Sequence, residues 1–178
     1  MTISHPLEFI PAGLRKNFFF GFLLWAFLSV ALFGVFAKAS GADAPSRIVA
    51  FELAWTPQAA RGVIEAWDSQ TRLRVAFELG FDYFFMPAYA LSFCMGLLLA
   101  RDGRKGWHIQ LSTWLGWGVL AAALLDAVEN YALWKELTGG AVSPYPQLAA
   151  FCASIKFALL AAGLASIFMM LISRKRSV

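Results

Sequence analysis

Four long runs of apolar residues, separated by polar segments, dominate the pattern of the chain. A helix rises about 1.5 Å per residue, so about 20 apolar residues cross a hydrocarbon core of about 30 Å. The pattern therefore predicts an all-α integral membrane protein, an up-down bundle of four transmembrane helices in a single domain, residues 1–178. The predicted spans are residues 18–37, 80–100, 110–134 and 148–172.

The segment between the first two runs, residues 44–78, has a different pattern. Ser46 can cap one short helix, and Thr56-Pro57 can begin another. Each has apolar residues on one side and polar residues on the other, which is typical of helices on a membrane surface. We expect a periplasmic cap of two amphipathic helices. The sequence Val49-Ala50-Phe51-Glu52-Leu53 recurs at 75–79, and we interpret this single recurrence as coincidence or a local echo, not as a fold repeat.

Basic residues near the predicted spans indicate the orientation of the bundle, because cytoplasmic loops carry an excess of Lys and Arg. In a four-span arrangement eight of them lie on one side: Arg15, Lys16, Arg101, Arg104, Lys105, Arg174, Lys175 and Arg176. We expect both termini on the cytoplasmic side of a bacterial-type inner (plasma) membrane. The first run exceeds the 7 to 15 residues or so of a signal-peptide core, so we expect an uncleaved span.

Composition supports a lipid bilayer as the main partner. The chain is 60% hydrophobic and 15% charged, more apolar than one soluble core could hide. Trp25, Trp107 and Trp134 stand near the ends of apolar runs, as interfacial anchors do. The net charge of +4 arises from clusters beside these runs and forms no stripe, so no nucleic-acid partner is expected.

Polar residues on the third span are the most informative chemical feature. Asp126, Glu129 and Asn130 stand at positions i, i+3 and i+4 and share one helix face. Because a mid-helix charge costs roughly 2.5 to 3.5 kcal/mol on insertion, this face should point into the bundle and find a partner. Lys156 and Asp126 each lie about 12 Å from the outer end of their spans, so Lys156 is the predicted partner.

The second span adds Asp82 near its outer end and Tyr89, seven residues later on the same face. The predicted site, for ligand binding or proton relay, therefore contains six residues: Asp82, Tyr89, Asp126, Glu129, Asn130 and Lys156. Two interpretations stay open. The network fixes helix register, or it lines an outer-leaflet pocket for a hydrophobic or amphiphilic small molecule or a partner helix. Phe84, Phe85 and Trp134 would then form the apolar wall.

The sequence lacks the residue patterns of haem, di-iron and disulfide sites. His5 and His108 lie in the N-terminal tail and a loop, which excludes a bis-histidine haem, and no Glu-x-x-His pattern for a di-iron bundle occurs. Cys94 and Cys152 lie at depths of about 20 and 6 Å, too different for a disulfide. We expect no metal and no cofactor, and no motif assigns a catalytic residue.

Three alternatives to a binding protein remain. The buried acids and lysine could divide proton donation and acceptance in an isomerase or hydrolase-like enzyme acting on lipid or isoprenoid substrates. The others are a proton- or ion-coupled transporter and an accessory subunit that docks through its first span. The helix count and the intramembrane acids are similar to those of the emopamil-binding (EXPERA) sterol isomerases and ligand-binding proteins. This resemblance is one of fold and assigns no functional residue here.

Overall fold

The computed structural model describes residues 3–39 and 48–175, and within these ranges the protein is helical and has no β-strand. Four helices are long and apolar enough to cross a membrane, which confirms the predicted all-α class and the predicted number of such helices. The helices are α1 (Arg15–Ala39), α2 (Ile48–Glu52), α3 (Pro57–Glu65), α4 (Ser69–Ala100), α5 (Trp107–Gly139) and α6 (Tyr145–Lys175).

Helix α4 begins well before the second apolar run. Asp68 caps it, because its carboxylate accepts a hydrogen bond of 2.7 Å from the backbone N–H of Thr71. Residues 69–78, which the sequence pattern places in the cap, therefore continue directly into the span.

Two short helices, α2 and α3, lie in the segment where the sequence predicts two amphipathic helices. The hydroxyl of Thr56 accepts a hydrogen bond of 3.2 Å from the N–H of Ala59, and Pro57 is the first residue of α3. Ser46, which the sequence predicts as the N-terminal capping residue of the first short helix, lies outside the described residues. Phe51 of α2 and Ile64 of α3 are buried in one apolar cluster with residues of α4, α5 and α6, so the two helices lie against this end of the bundle.

Helices α4, α5 and α6 form the core of the bundle. The Ser112 hydroxyl donates a hydrogen bond of 2.8 Å to the carbonyl of Leu97, and the Tyr83 hydroxyl donates one of 2.9 Å to the carbonyl of Ala127. Residue numbers fall along α4 as they rise along α5, so these two helices pack antiparallel. Helix α6 packs along α5 and also contacts α4.

Helix α1 packs on α4 through aromatic rings. The rings of Phe33 and Phe81 lie edge to face with centroids 4.8 Å apart, and those of Phe36 and Phe77 are 4.6 Å apart. Most other side chains of α1 are exposed, among them Phe27. Such a surface is suited to lipid or to another helix.

The N-terminal segment, residues 3–14, folds back onto the bundle ahead of α1. Leu7 and Ile10 are buried in an apolar cluster with residues of α4. The indole N–H of Trp117 donates a hydrogen bond of 3.0 Å to the carbonyl of Ser4. The segment is therefore part of the packed structure.

His5, which the sequence places in the tail, is 2% exposed. Its Nδ1 accepts a hydrogen bond of 3.2 Å from the N–H of Leu7, and its ring lies against Gly116 of α5. Burial, together with the positive charge of Arg101, lowers the pKa of His5 to about 4, so the imidazole is neutral at pH 7.

Candidate ligand-binding site

The ammonium of Lys156 on α6 lies between two carboxylates of α5. Its Nζ is 2.8 Å from Oδ1 of Asp126 and 2.9 Å from both carboxylate oxygens of Glu129. The hydrogen bond goes to Oε1 of Glu129, whereas Oε2 is in ion-pair contact with the ammonium but has no hydrogen-bond partner among the described residues. All three side chains are buried, so the opposite charges that the sequence places at one depth are in contact inside the bundle.

Tyr89 of α4 completes this ion cluster, which we define as Lys156, Asp126, Glu129 and Tyr89. Its hydroxyl donates a hydrogen bond of 2.8 Å to Oδ2 of Asp126, whereas Lys156 donates to Oδ1. Asp126 is therefore held from two neighbouring helices at once. The hydrogen bonds to Asp126 thus link α4, α5 and α6 at one level of the bundle.

Asp82 of α4 and Asn130 of α5 form a separate pair, about one to two helix turns from Asp126 and Tyr89. The amide nitrogen of Asn130 donates a hydrogen bond of 2.8 Å to Oδ2 of Asp82 and lies 3.4 Å from the carbonyl of Leu79. The six residues of the predicted site thus fall into two adjacent groups.

A cavity of ≈ 240 Å³ lies beside the Asp82–Asn130 pair. The pocket expected from the sequence has Asp126, Glu129 and Lys156 at its centre, but none of these three lines this cavity; they are packed next to it. Helices α1, α2, α4 and α5 contribute its walls, which are formed by Phe33, Ile48, Glu52, Glu78, Leu79, Asp82 and Asn130.

A second cavity, of ≈ 280 Å³, lies between α4 and α5 on the other side of Leu79 and Asn130. Trp134, a residue of the expected apolar wall, lines it. Phe84 and Phe85 line neither cavity; their rings pack against other aromatic side chains. The remaining walls are Ala76, Gly80, Tyr83 and Tyr131.

The sequence prediction omits two acids of the first cavity, Glu52 and Glu78. They occupy the same position in the repeated sequence Val-Ala-Phe-Glu-Leu, but the recurrence by itself does not place them at one cavity. Glu78 is 3.5 Å from the guanidinium of Arg74. Burial raises the pKa of Glu52, an effect that the positive charge of Lys156 opposes.

Glu136 is a further acid that the sequence prediction omits. It lies seven residues beyond Glu129 on the same face of α5 and is 1% exposed. Neither of its carboxyl oxygens has a hydrogen-bond partner among the described residues.

We expect Glu136→Met to raise the free energy of unfolding by about 1–3 kcal/mol, because methionine removes two buried acceptors that lack partners. Reversible unfolding in detergent measures the change. Glu65→Met, at an exposed position of α3, is the matched control and should change stability little. A loss of stability in Glu136→Met would show that this carboxyl has an essential partner.

The described residues contain no group of three or more His, Cys, Asp or Glu side chains that could hold a metal ion. Cys94 and Cys152 are both buried free thiols. The chemistry of the described site is therefore that of carboxyl, ammonium, amide and phenol groups.

Comparison of the chain with protein-family models, curated proteins and solved structures finds no match.

Proposed function

We propose that the chain is a multi-pass membrane protein that binds an amphiphilic small molecule in the cavity beside Asp82. The head of this ligand is cationic or donates hydrogen bonds, and its tail is hydrophobic. In this proposal the four long helices cross a bacterial-type inner membrane in an up-down arrangement with both termini in the cytoplasm. The cavity, covered by α2, then opens toward the outer leaflet.

One unsatisfied acceptor carries the proposal. Oε2 of Glu52 is buried and has no hydrogen-bond partner among the described residues, and its side chain lines the cavity. Buried polar atoms normally have partners, so an acceptor of this kind on a cavity wall suits a donor supplied by a ligand. Asp82 lines the same cavity, which makes the wall acidic and favours a cationic head.

The small size and the mixed polar and apolar lining of the first cavity support an amphiphile. Each of the two cavities is smaller than the 300–1,000 Å³ or so of pockets that enclose drug-sized ligands. Phe33, Ile48 and Leu79 add apolar surface to the acidic wall. A compact head in the first cavity with a tail along the α1–α4 surface fits these dimensions.

The ion cluster acts here as a positioning element. Asp126 and Glu129 fix α5 against α6 through Lys156, and Asn130 on the same face of α5 then holds the carboxylate of Asp82. This arrangement explains why charges are buried next to a cavity that they do not line.

Binding fits the geometry better than catalysis or transport. The acids and lysine of the ion cluster could act as general acid and base, but they line neither cavity. Further along the described part of the bundle, the hydroxyls of Ser92 and Ser112 donate to backbone carbonyls. These hydroxyls donate to the helix backbone, and neither hydrogen bond connects them to the ion cluster.

Binding of a long-chain alkylamine, compared with an alkyl sulfate of equal chain length, tests this function in protein reconstituted into nanodiscs. We expect the amine to bind and the sulfate not to. Glu52→Gln and Asp82→Asn should each weaken amine binding about tenfold, because each removes a charged hydrogen-bond acceptor.

Glu65→Gln is the matched control, since Glu65 lies on the neighbouring helix α3 and is exposed. It should leave amine binding unchanged. Equal binding of the amine and the sulfate, or wild-type affinity in both Glu52→Gln and Asp82→Asn, would contradict the proposal. If conversion of an isoprenoid substrate is lost in Glu129→Gln while amine binding survives, the enzyme alternative gains support.

A further inference from the structure

A third cavity, of ≈ 460 Å³, lies at the opposite end of the bundle from Asp82. Helices α1, α4 and α6 contribute its walls, and Phe19, Leu99, Ile167 and Leu171 make them apolar. Lys16 and Asp102 also line it, at the end of the bundle where α1 begins and α4 has ended. The cavity is thus an apolar groove with charged groups at one end.

Gly96 of α4 leaves room for this groove. A Cβ atom at this position would lie 3.2 Å from Cδ1 of Ile167 and 3.5 Å from Cε2 of Phe19. Any larger side chain would extend between α1 and α6. The space in the groove therefore depends on the absence of a side chain here.

Positively charged side chains outnumber negatively charged ones at the end of the bundle that contains the groove. Arg15 compensates Asp102 at 3.3 Å, and Arg101 compensates Glu8 at 2.7 Å. Lys16 remains exposed at the groove, and no ion pair joins it to another described side chain. Arg104 donates a hydrogen bond to the carbonyl of Met170 and Lys105 is exposed, so two further positive charges lie in the following loop.

We propose that this groove binds an anionic phospholipid of the surrounding leaflet. An acyl chain lies against Phe19, Gly96 and Ile167, and the phosphate lies near the ammonium of Lys16. Basic pockets between transmembrane helices are suited to anionic head groups, and each nearby lysine adds affinity. The proposal rests on the chain spanning a membrane, but it is independent of the ligand proposed for the cavity beside Asp82.

Native mass spectrometry of the purified full chain tests the site with dioleoyl phosphatidylglycerol and dioleoyl phosphatidylcholine, which share acyl chains but differ in net charge. We expect one phosphatidylglycerol per chain to be retained in preference to phosphatidylcholine. Lys16→Gln should weaken phosphatidylglycerol binding about fivefold, the equivalent of about 1 kcal/mol. Gly96→Leu should remove the bound lipid by filling the groove.

Lys105→Gln is the matched control, because it removes the same charge from the same end of the bundle but outside the groove. Lys105→Gln should weaken phosphatidylglycerol binding much less than Lys16→Gln does, because Lys105 does not line the groove. Lys16 and Lys105 are both exposed, so neither substitution should affect folding. The comparison of Lys16→Gln with Lys105→Gln therefore tests lipid binding in the groove even if Gly96→Leu fails to fold. Equal losses in Lys16→Gln and Lys105→Gln, or no preference for phosphatidylglycerol, would overturn the proposal. Retention of the lipid by folded Gly96→Leu would overturn it too.

Discussion

Lys156→Met is expected to lower the free energy of unfolding by about 3–5 kcal/mol, the usual cost of removing one partner of a buried ion pair. The ammonium of Lys156 contacts both Asp126 and Glu129, and all three side chains are buried. Methionine keeps the approximate length of the side chain but leaves two carboxyl groups without their cation. Reversible unfolding in mixed micelles measures the loss.

A triple variant, Lys156→Met with Asp126→Asn and Glu129→Gln, is the control for this result. It leaves no charge in the cluster, so much of the lost stability should return. Lys135→Met, at a partly exposed lysine of α5, should have little effect. Near wild-type stability of Lys156→Met would show that the buried acids do not need their cation.

Gly116→Val is expected to destabilise the protein by about 1–3 kcal/mol, the usual cost of overpacking. A Cβ atom at Gly116 would lie only 2.6 Å from Nε2 of His5. The imidazole has to move, and because it is buried and hydrogen-bonded to the N–H of Leu7, we expect the N-terminal segment to move with it. Unfolding in detergent gives the energy, and proteolysis within residues 3–14 should become faster.

Two variants isolate this contact. Gly21→Val is the matched control, because nothing lies within 4 Å of a Cβ atom at Gly21, and it should have little effect. His5→Ala combined with Gly116→Val should restore stability, because the clashing ring is gone. If Gly116→Val and Gly21→Val behave alike, the N-terminal segment is not packed at Gly116.

The sequence predicts the long helices and the ion cluster from simple quantities. Helix number follows from the length and hydropathy of four runs. The contact of Lys156 with Asp126 and Glu129 follows from the rise per residue and a short connection between two spans. Both inferences depend only on the position of a residue along its helix axis, which follows directly from the residue order.

The two acids on the cavity wall, Glu52 and Glu78, could not be located in this way. Their position depends on how α2 folds over α4, a lateral arrangement that hydropathy does not encode. Similarly, the N-terminal segment is too short for a periodic pattern, so the burial of His5 has no signal in its own residues. The start of α4 at Ser69 has a signal in the sequence, the capping residue Asp68. The first turns of α4 are polar, however, so the hydropathy pattern does not show that they continue into the apolar run.

Lys156 lies inside the bundle as an ammonium in contact with two carboxylates. Side-chain ¹⁵N NMR of lysine-labelled protein measures this directly, because buried, hydrogen-bonded ammonium protons exchange slowly with water. At neutral pH we expect one slowly exchanging ammonium signal, lost in Lys156→Met and shifted in Asp126→Asn. Exchange at Lys156 as fast as at exposed Lys105 would contradict the account.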